Sequence, residues 1–243
     1  MAPLGLHQGR VEMWLLGQPT FKFREGDFPV DATTLCLLLP TEPANGRPVR
    51  MRRGARGRVW QAQRAGRPFT VTIEDGHAEG LSQVLRQCSR LPLLYTVALE
   101  IVSEEDKDGL ALYKSIGGAA GHGGEEYVNV VNSSLPLLLH EFGHAIEQRA
   151  RNGGNARFLD EWEGAIRADA VALSAYALQN AWEDCAEFSL AYATALRRGS
   201  LEQLGRQSPK RFRLWSWALQ HVNTPPVDAP LDPEQRPACC QIG

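Results

Sequence analysis

The chain lacks any apolar run long enough to cross a bilayer, any even set of cysteines and any appreciable net charge, and each lack removes a class of explanation. Its longest apolar runs, Leu35 to Leu39 and Leu135 to Leu139, have the length of core segments, far short of the roughly 20 residues a membrane helix needs. Pro3, Gly5, His7, Arg10, Glu12 and Gly17 stand where a secretory signal would place an apolar stretch, so no signal peptide is read and the cytoplasm is the expected compartment. Delivery elsewhere as an effector or toxin is equally compatible with these residues. Five cysteines (Cys36, Cys88, Cys185, Cys239, Cys240) without metal or redox spacing give no disulfide framework. A formal charge of -2 excludes global attraction to nucleic acid or membrane and leaves only local patches. The terminal Cys240-Gln241-Ile242-Gly243 is a poor prenylation box, and the prolines from Pro225 to Pro237 read as a flexible tail.

What is present is a core-forming composition, 43% hydrophobic over 243 residues, and one stretch with chemistry in it: Leu135-Pro136-Leu137-Leu138-Leu139-His140-Glu141-Phe142-Gly143-His144. Histidines four apart share one helix face, and two neutral imidazoles so placed can reach one Zn²⁺. Glu141 beside them is positioned to take a proton from a metal-activated water, which makes a peptide hydrolase the natural reading. Asn132-Ser133-Ser134 supply N-cap candidates, Pro136 is tolerated in a first turn, and Asn152-Gly153-Gly154-Asn155 stop the helix.

Along the chain, residues 11–16, 20–24 and 33–39 read as short strands, and Arg47 to Arg67 carries eight arginines, several turn glycines and no acidic residue, the pattern of a hairpin. Those arginines suit a phosphate or acidic-partner surface with Trp60 as a stacking platform, or simply a solvated hairpin. A nucleic-acid-associated protein with an accessory metal domain is therefore the alternative function. Phe69 to Ile73 reads as a strand, Glu79 to Ser89 as a helix, Leu93 to Val102 as a long strand and Tyr127 to Val131 as another. Gly117 to Gly124 is a glycine-rich flap candidate just before that last strand, whose edge would take an extended substrate; Tyr127, Asn129 and His122 are the expected substrate contacts. Helices follow at 159–173, 181–198 and 208–222.

Two histidines leave a catalytic zinc one protein ligand short. Glu147 and Ala150 stand where a metzincin would have Gly and His, which excludes that solution. Glu163 lies near the spacing of a thermolysin-like ligand, but Gly164 occupies the usual place and Arg167 stands where a supporting acid is expected. Glu183 and Glu187 are one turn apart among Trp182, Cys185, Ala186 and Phe188, so one can bind metal while the other orients a ligand imidazole.

With His140-Glu141-Phe142-Gly143-His144, Tyr176 and Glu183-Asp184-Cys185-Ala186-Glu187-Phe188, the sequence resembles the gluzincin family that includes the anthrax lethal factor protease domain and the pro-pro endopeptidases. The resemblance spans about residues 69–188. It implies that Glu183 is the third zinc ligand, Tyr176 the oxyanion donor and Glu187 a residue supporting the ligand shell. It also implies an α+β, zincin-like fold: a small mixed sheet over an active-site helix, with a carboxy-terminal helical lobe. The domain plan expected is 1–67 as a β-rich extension, 68–223 as the catalytic domain and 224–243 as the tail. The function expected is zinc-dependent endopeptidase action on a peptide or protein substrate.

Overall fold

The structure, a computed structural model, describes residues 14–37, 46–124 and 127–224. It is a mixed α+β fold. Among the described residues seven strands form one sheet: β1 (Leu35–Leu37), β2 (Arg47–Arg50), β3 (Arg56–Arg64), β4 (Arg67–Glu74), β5 (Leu110–Leu112), β6 (Gly121–Gly123) and β7 (Val128–Val130). The order is β1-β3-β4-β5-β7-β6, with β2 also pairing β3. β3 and β4 form an antiparallel hairpin around Ala65 and Gly66, both at positive φ, as a twist-matched two-residue turn requires. β4, β5 and β7 run parallel, and β6 closes the sheet antiparallel to β7.

The expected division at residue 67 is corrected by this pairing. It falls at the first residues of β4, so residues 47–64 share the sheet of the region that follows and do not form a separate extension. Of the expected amino-terminal strands only part of the third, Leu35–Leu37, is found, as β1; residues 14–34 are not strand. They contain 3-10 turns at Leu15–Gly17, Glu25–Asp27 and Ala32–Thr34. Leu15 and Leu16 donate backbone N–H groups to the carbonyls of Ala172 and Leu173, and Arg198 donates to the carbonyls of Pro19, Thr20 and Lys22. The apolar residues of this segment therefore pack on the helical side of the molecule. Residues 11–13, 38–45 and 225–243, which hold parts of the first and third expected strands and nearly all of the expected tail, lie outside the described residues.

The chain between β4 and β5 holds α1 (Leu81–Arg90) and α2 (Thr96–Glu105). Leu93 to Val102 was expected as a strand; it is a 3-10 turn leading into α2. Thr96, Val97, Ala98, Leu99, Ile101 and Val102 are all buried, and this nearly unbroken apolar run, interrupted only by Glu100, hides the 3.6-residue periodicity that marks a surface helix. After β7 comes α3 (Leu135–Gly153), which packs on the sheet through β6 and β7 and on α2. A helical lobe follows: α4 (Phe158–Asp169), α5 (Ala181–Arg197), the unforeseen α6 (Leu201–Gln207) and α7 (Pro209–Asn223).

The lobe is held by a buried polar knot. Arg211 donates to Asp184 at 2.8 Å and lies 3.4 Å from Asp169, while the Trp162 indole N–H donates to Asp184 at 2.9 Å. This joins α4, α5 and α7 around Trp162, Trp215, Phe158 and Phe188. Removing one partner of such a buried pair leaves a charge uncompensated, a cost of about 3–5 kcal/mol. The pitch of α5 is fixed accordingly.

Candidate metal centre

The site arises where α3 crosses α5. The crossing is close because of three small residues: a Cβ placed on Gly143 would stand 2.8 Å from Ser189 Cβ and 3.0 Å from the Ala186 Cα. Ser189 also donates its hydroxyl to the Leu139 carbonyl at 2.8 Å, stitching the helices together. With the axes so near, the His140 and His144 face of α3 meets the first turn of α5. That turn begins at Asn180, whose side chain accepts the Glu183 backbone N–H at 2.9 Å and so fixes where Glu183 starts.

Ligand atoms of His140, His144 and Glu183 all lie within 4.8 Å of one another, a group of the size that holds one metal ion. Glu183 Oε2 is 3.2 Å from His140 Nε2 and 3.6 Å from His144 Nε2. The other nitrogen of His140, Nδ1, is 3.1 Å from Glu187 Oε1, and Glu187 in turn accepts the Ser174 hydroxyl at 2.7 Å. An imidazole whose far nitrogen is held by a carboxylate is oriented for metal binding through the near one. Two imidazoles and one carboxylate with such support fit the donor set of a catalytic Zn²⁺, which keeps further positions open.

Electrostatics point the same way. Burial pulls His140 down, but hydrogen bonds to Glu183 and Glu187 outweigh it and raise its pKa to about 9. For Glu183, burial raises the pKa, and the hydrogen bonds with His140 and His144 lower it to about 2. Burial raises Glu141, against the opposing pull of His140 and His144. Tyr176 is raised by burial and then by the negative charge of Glu183 and Glu141.

A cleft of about 600 Å³ opens over these groups. One wall is β6, whose backbone rests on Glu141: a Cβ on Gly121 would fall 2.1 Å from Glu141 Oε1, and one on Gly123 2.4 Å from the Glu141 carbonyl. At Gly123 the clash is with backbone, and at Gly121 a side chain would push the Glu141 carboxylate from its place. The opposite wall carries Tyr176 and Trp182, 48% and 44% exposed, with the Tyr176 ring 5.6 Å from that of His140.

The expected residues divide clearly. His140, Glu141, His144, Tyr176 and Glu183 all line the cleft, and Glu187 sits behind His140. Tyr127 and the exposed His122 line it as well. Asn129 does not: it is buried in β7, in register with His122, so the substrate contact expected of it is corrected. The expected edge strand, residues 127–131, is likewise corrected, because β6 covers β7 and is itself the edge. Glu163 is exposed on α4, 3.6 Å from Arg167, and takes no part in the ligand group.

Sequence reasoning missed the cleft roles of Ser174 and Trp182, and read the glycines of β6 as part of a flap where the structure has a strand. Helix α4 was expected to run to Leu173 but stops at Ala170, which adopts left-handed φ; the irregular residues beyond carry Ser174 to Glu187. A serine in coil gives no local signal. Nor does Gly121-His122-Gly123 announce a strand, since glycine is depleted in strands and three residues are too few for an alternation. Comparison of the chain with family models, with curated proteins and with solved structures gives no match.

Proposed function

We propose that this chain is a zinc-dependent metalloendopeptidase with a zincin-like arrangement, similar to the gluzincins. The reading rests on one observation: His140, His144 and Glu183 converge, with Glu141 beside them, on the floor of an open cleft. Bound there, Zn²⁺ would make a water acidic and polarise a peptide carbonyl.

The chain's own residues supply the rest. Glu141, held above the usual carboxylate range by burial, takes a proton from the attacking water at a side-chain oxygen and passes it to the leaving amine. Tyr176, raised above the ordinary phenol, keeps its hydroxyl proton at neutral pH and donates a hydrogen bond to the carbonyl oxygen as negative charge grows on it. Glu187 and Ser174 hold the His140 ring in one orientation. Among the described residues β6 pairs on one side only, so an extended peptide can add to its other edge.

The test is cleavage of a peptide library by protein of known zinc content, with products sequenced by mass spectrometry. Glu141→Gln is expected to keep its zinc and lose nearly all turnover. Tyr176→Phe is expected to keep zinc and lose roughly 10²–10³ in kcat, the size seen when one oxyanion donor is removed. Cleavage that survives a chelator, or full activity in Glu141→Gln, refutes the reading.

A further inference from the structure

The proposed chemistry leaves the arginine hairpin unused. Between Arg47 and Arg58 stand six arginines and no acidic residue, and Arg47, Arg50, Arg52, Arg53 and Arg56 are exposed. The turn that joins β2 to β3 is nonetheless anchored. Its Arg52 backbone N–H donates to the buried Asp108, Met51 and Gly54 bond within the turn, and Met51 packs on Ala111, Tyr113 and Ile116. The guanidinium groups therefore project from a fixed platform.

That platform adjoins the cleft. The Arg52 guanidinium lies 4.7 Å from the centroid of Tyr127, and Tyr127 lines the cleft. Across from Tyr127, α3 turns Gln148 and Arg151 to the same cleft; Gly124, which donates to the Tyr127 carbonyl, lies against Gln148. From His144 to Arg151 is seven residues. At ~1.5 Å per residue this end of the cleft is roughly 10 Å from the ligand cluster, about three residues of extended peptide. Arg52 and Arg151 are paired with Asp106 and Glu147, so the excess charge is carried by Arg50, Arg53 and Arg56.

We propose that this end of the cleft binds an acidic segment of the substrate, with Asp or Glu about three to five residues from the cleaved bond on one side. The proposal rests on the peptidase reading above. An acidic peptide fits better than a nucleic acid because the hairpin offers no surface for base stacking. Trp60 is 9% exposed beneath Gly46, Tyr113 is buried, and Arg52 already covers Tyr127.

The test compares wild type, the double variant Arg50→Glu/Arg53→Glu and the control Arg206→Glu, on exposed α6, first on a peptide library. Wild type and control should enrich acidic residues three to five positions from the cut, and the double variant should lose that enrichment. For a cleaved peptide with an acidic flank, KM should rise about tenfold in the double variant, and added salt should erase the advantage over a neutral flank. Cleavage without acidic enrichment, or enrichment that survives in the double variant, overturns the proposal and leaves the peptidase intact. No cleavage by zinc-loaded wild type overturns the peptidase reading instead. Binding is then read by fluorescence anisotropy: a Glu-rich dodecapeptide must still bind wild type better than the double variant, or the acidic site falls as well. A single-stranded oligonucleotide that outbinds the acidic peptide at equal salt, and is lost in the same variant, reassigns the hairpin to nucleic acid.

Discussion

Gly143 lies between the two histidines of the motif, and replacing it with alanine tests the helix crossing on which the metal site depends. The added Cβ would lie 2.8 Å from Ser189 Cβ and 3.0 Å from Ala186 Cα. Carbon atoms prefer roughly 3.5–4.0 Å, so α3 and α5 must part by about 1 Å. Metal–ligand distances tolerate only about 0.2 Å, so Glu183 would no longer close the group with His140 and His144 in their present positions. Overpacking of this kind costs about 1–3 kcal/mol, whereas Gly→Ala in a helix interior gains about 1 kcal/mol, so net stability falls by ~0–2 kcal/mol. The melting temperature alone decides little. Metal affinity decides more: titration against a chromogenic chelator should show zinc binding weakened about 10–100-fold, as when a supporting residue is lost. Gly164→Ala is the matched control. It lies in α4 with nothing within 4 Å of its new Cβ, so it should gain the helix propensity without a clash and raise the melting temperature by about 2–4 °C. If Gly143→Ala also melts higher and binds zinc as wild type does, the close crossing is not what assembles the site.

Gly121→Ala should act on chemistry instead of metal, because its Cβ would collide with the Glu141 carboxylate; kcat should fall at least tenfold with zinc content unchanged, measured on the same preparation. Glu183→Ala should deplete zinc, by metal analysis after dialysis, while Glu163→Ala leaves it at wild-type level; the reverse order would move the site to α4. With His140 raised to about 9, metal must displace a proton below that pH. Apparent zinc affinity should therefore climb with pH up to about 9, and calorimetry in buffers of different ionisation enthalpy should count the proton released. For the metal-free protein the signs run oppositely for the two partners. The contribution of His140 is fully present below its ordinary 6.5 and lost as pH rises through about 9. That of Glu183 is present above 4.5 and lost as pH falls through about 2. Chelator-treated protein should thus melt highest between about pH 4.5 and 6.5.

Residues close together in the chain were legible without coordinates. The histidine pair and Glu141 depend only on helical spacing, and the helix α3 that carries them has an apolar lead and a glycine stop that can be read locally. The hairpin expected within residues 47–67 is formed by β2 and β3, legible from its turn glycines, but the pairing of β3 with the following strand β4 was not. Near-continuous burial from Thr96 to Val102 defeated the reading of α2, because an almost unbroken apolar run hides the helical period. The aromatic residues of the amino-terminal segment looked like strand residues, but their destination was the helical lobe, which nothing in residues 14–34 announces.

By itself the sequence determined which atoms are available for metal binding and proton transfer, since those follow from residue type and from the spacing within one helix. It narrowed the third ligand to three glutamates, Glu163, Glu183 and Glu187, and spacing alone could not choose between the last two. Tertiary structure decided that Glu183 and not Glu163 faces the histidines, through the contact of Gly143 with Ala186 and Ser189 and the buried Arg211–Asp184 pair that sets α5. It also decided that β6, a strand of three residues, is the wall of the cleft, and that the arginine turn stands at its end. The physical reason is common to all of these. Spacing along a helix is set by covalent geometry and backbone hydrogen bonds, whereas the approach of two elements far apart in the chain is set by packing at their crossing.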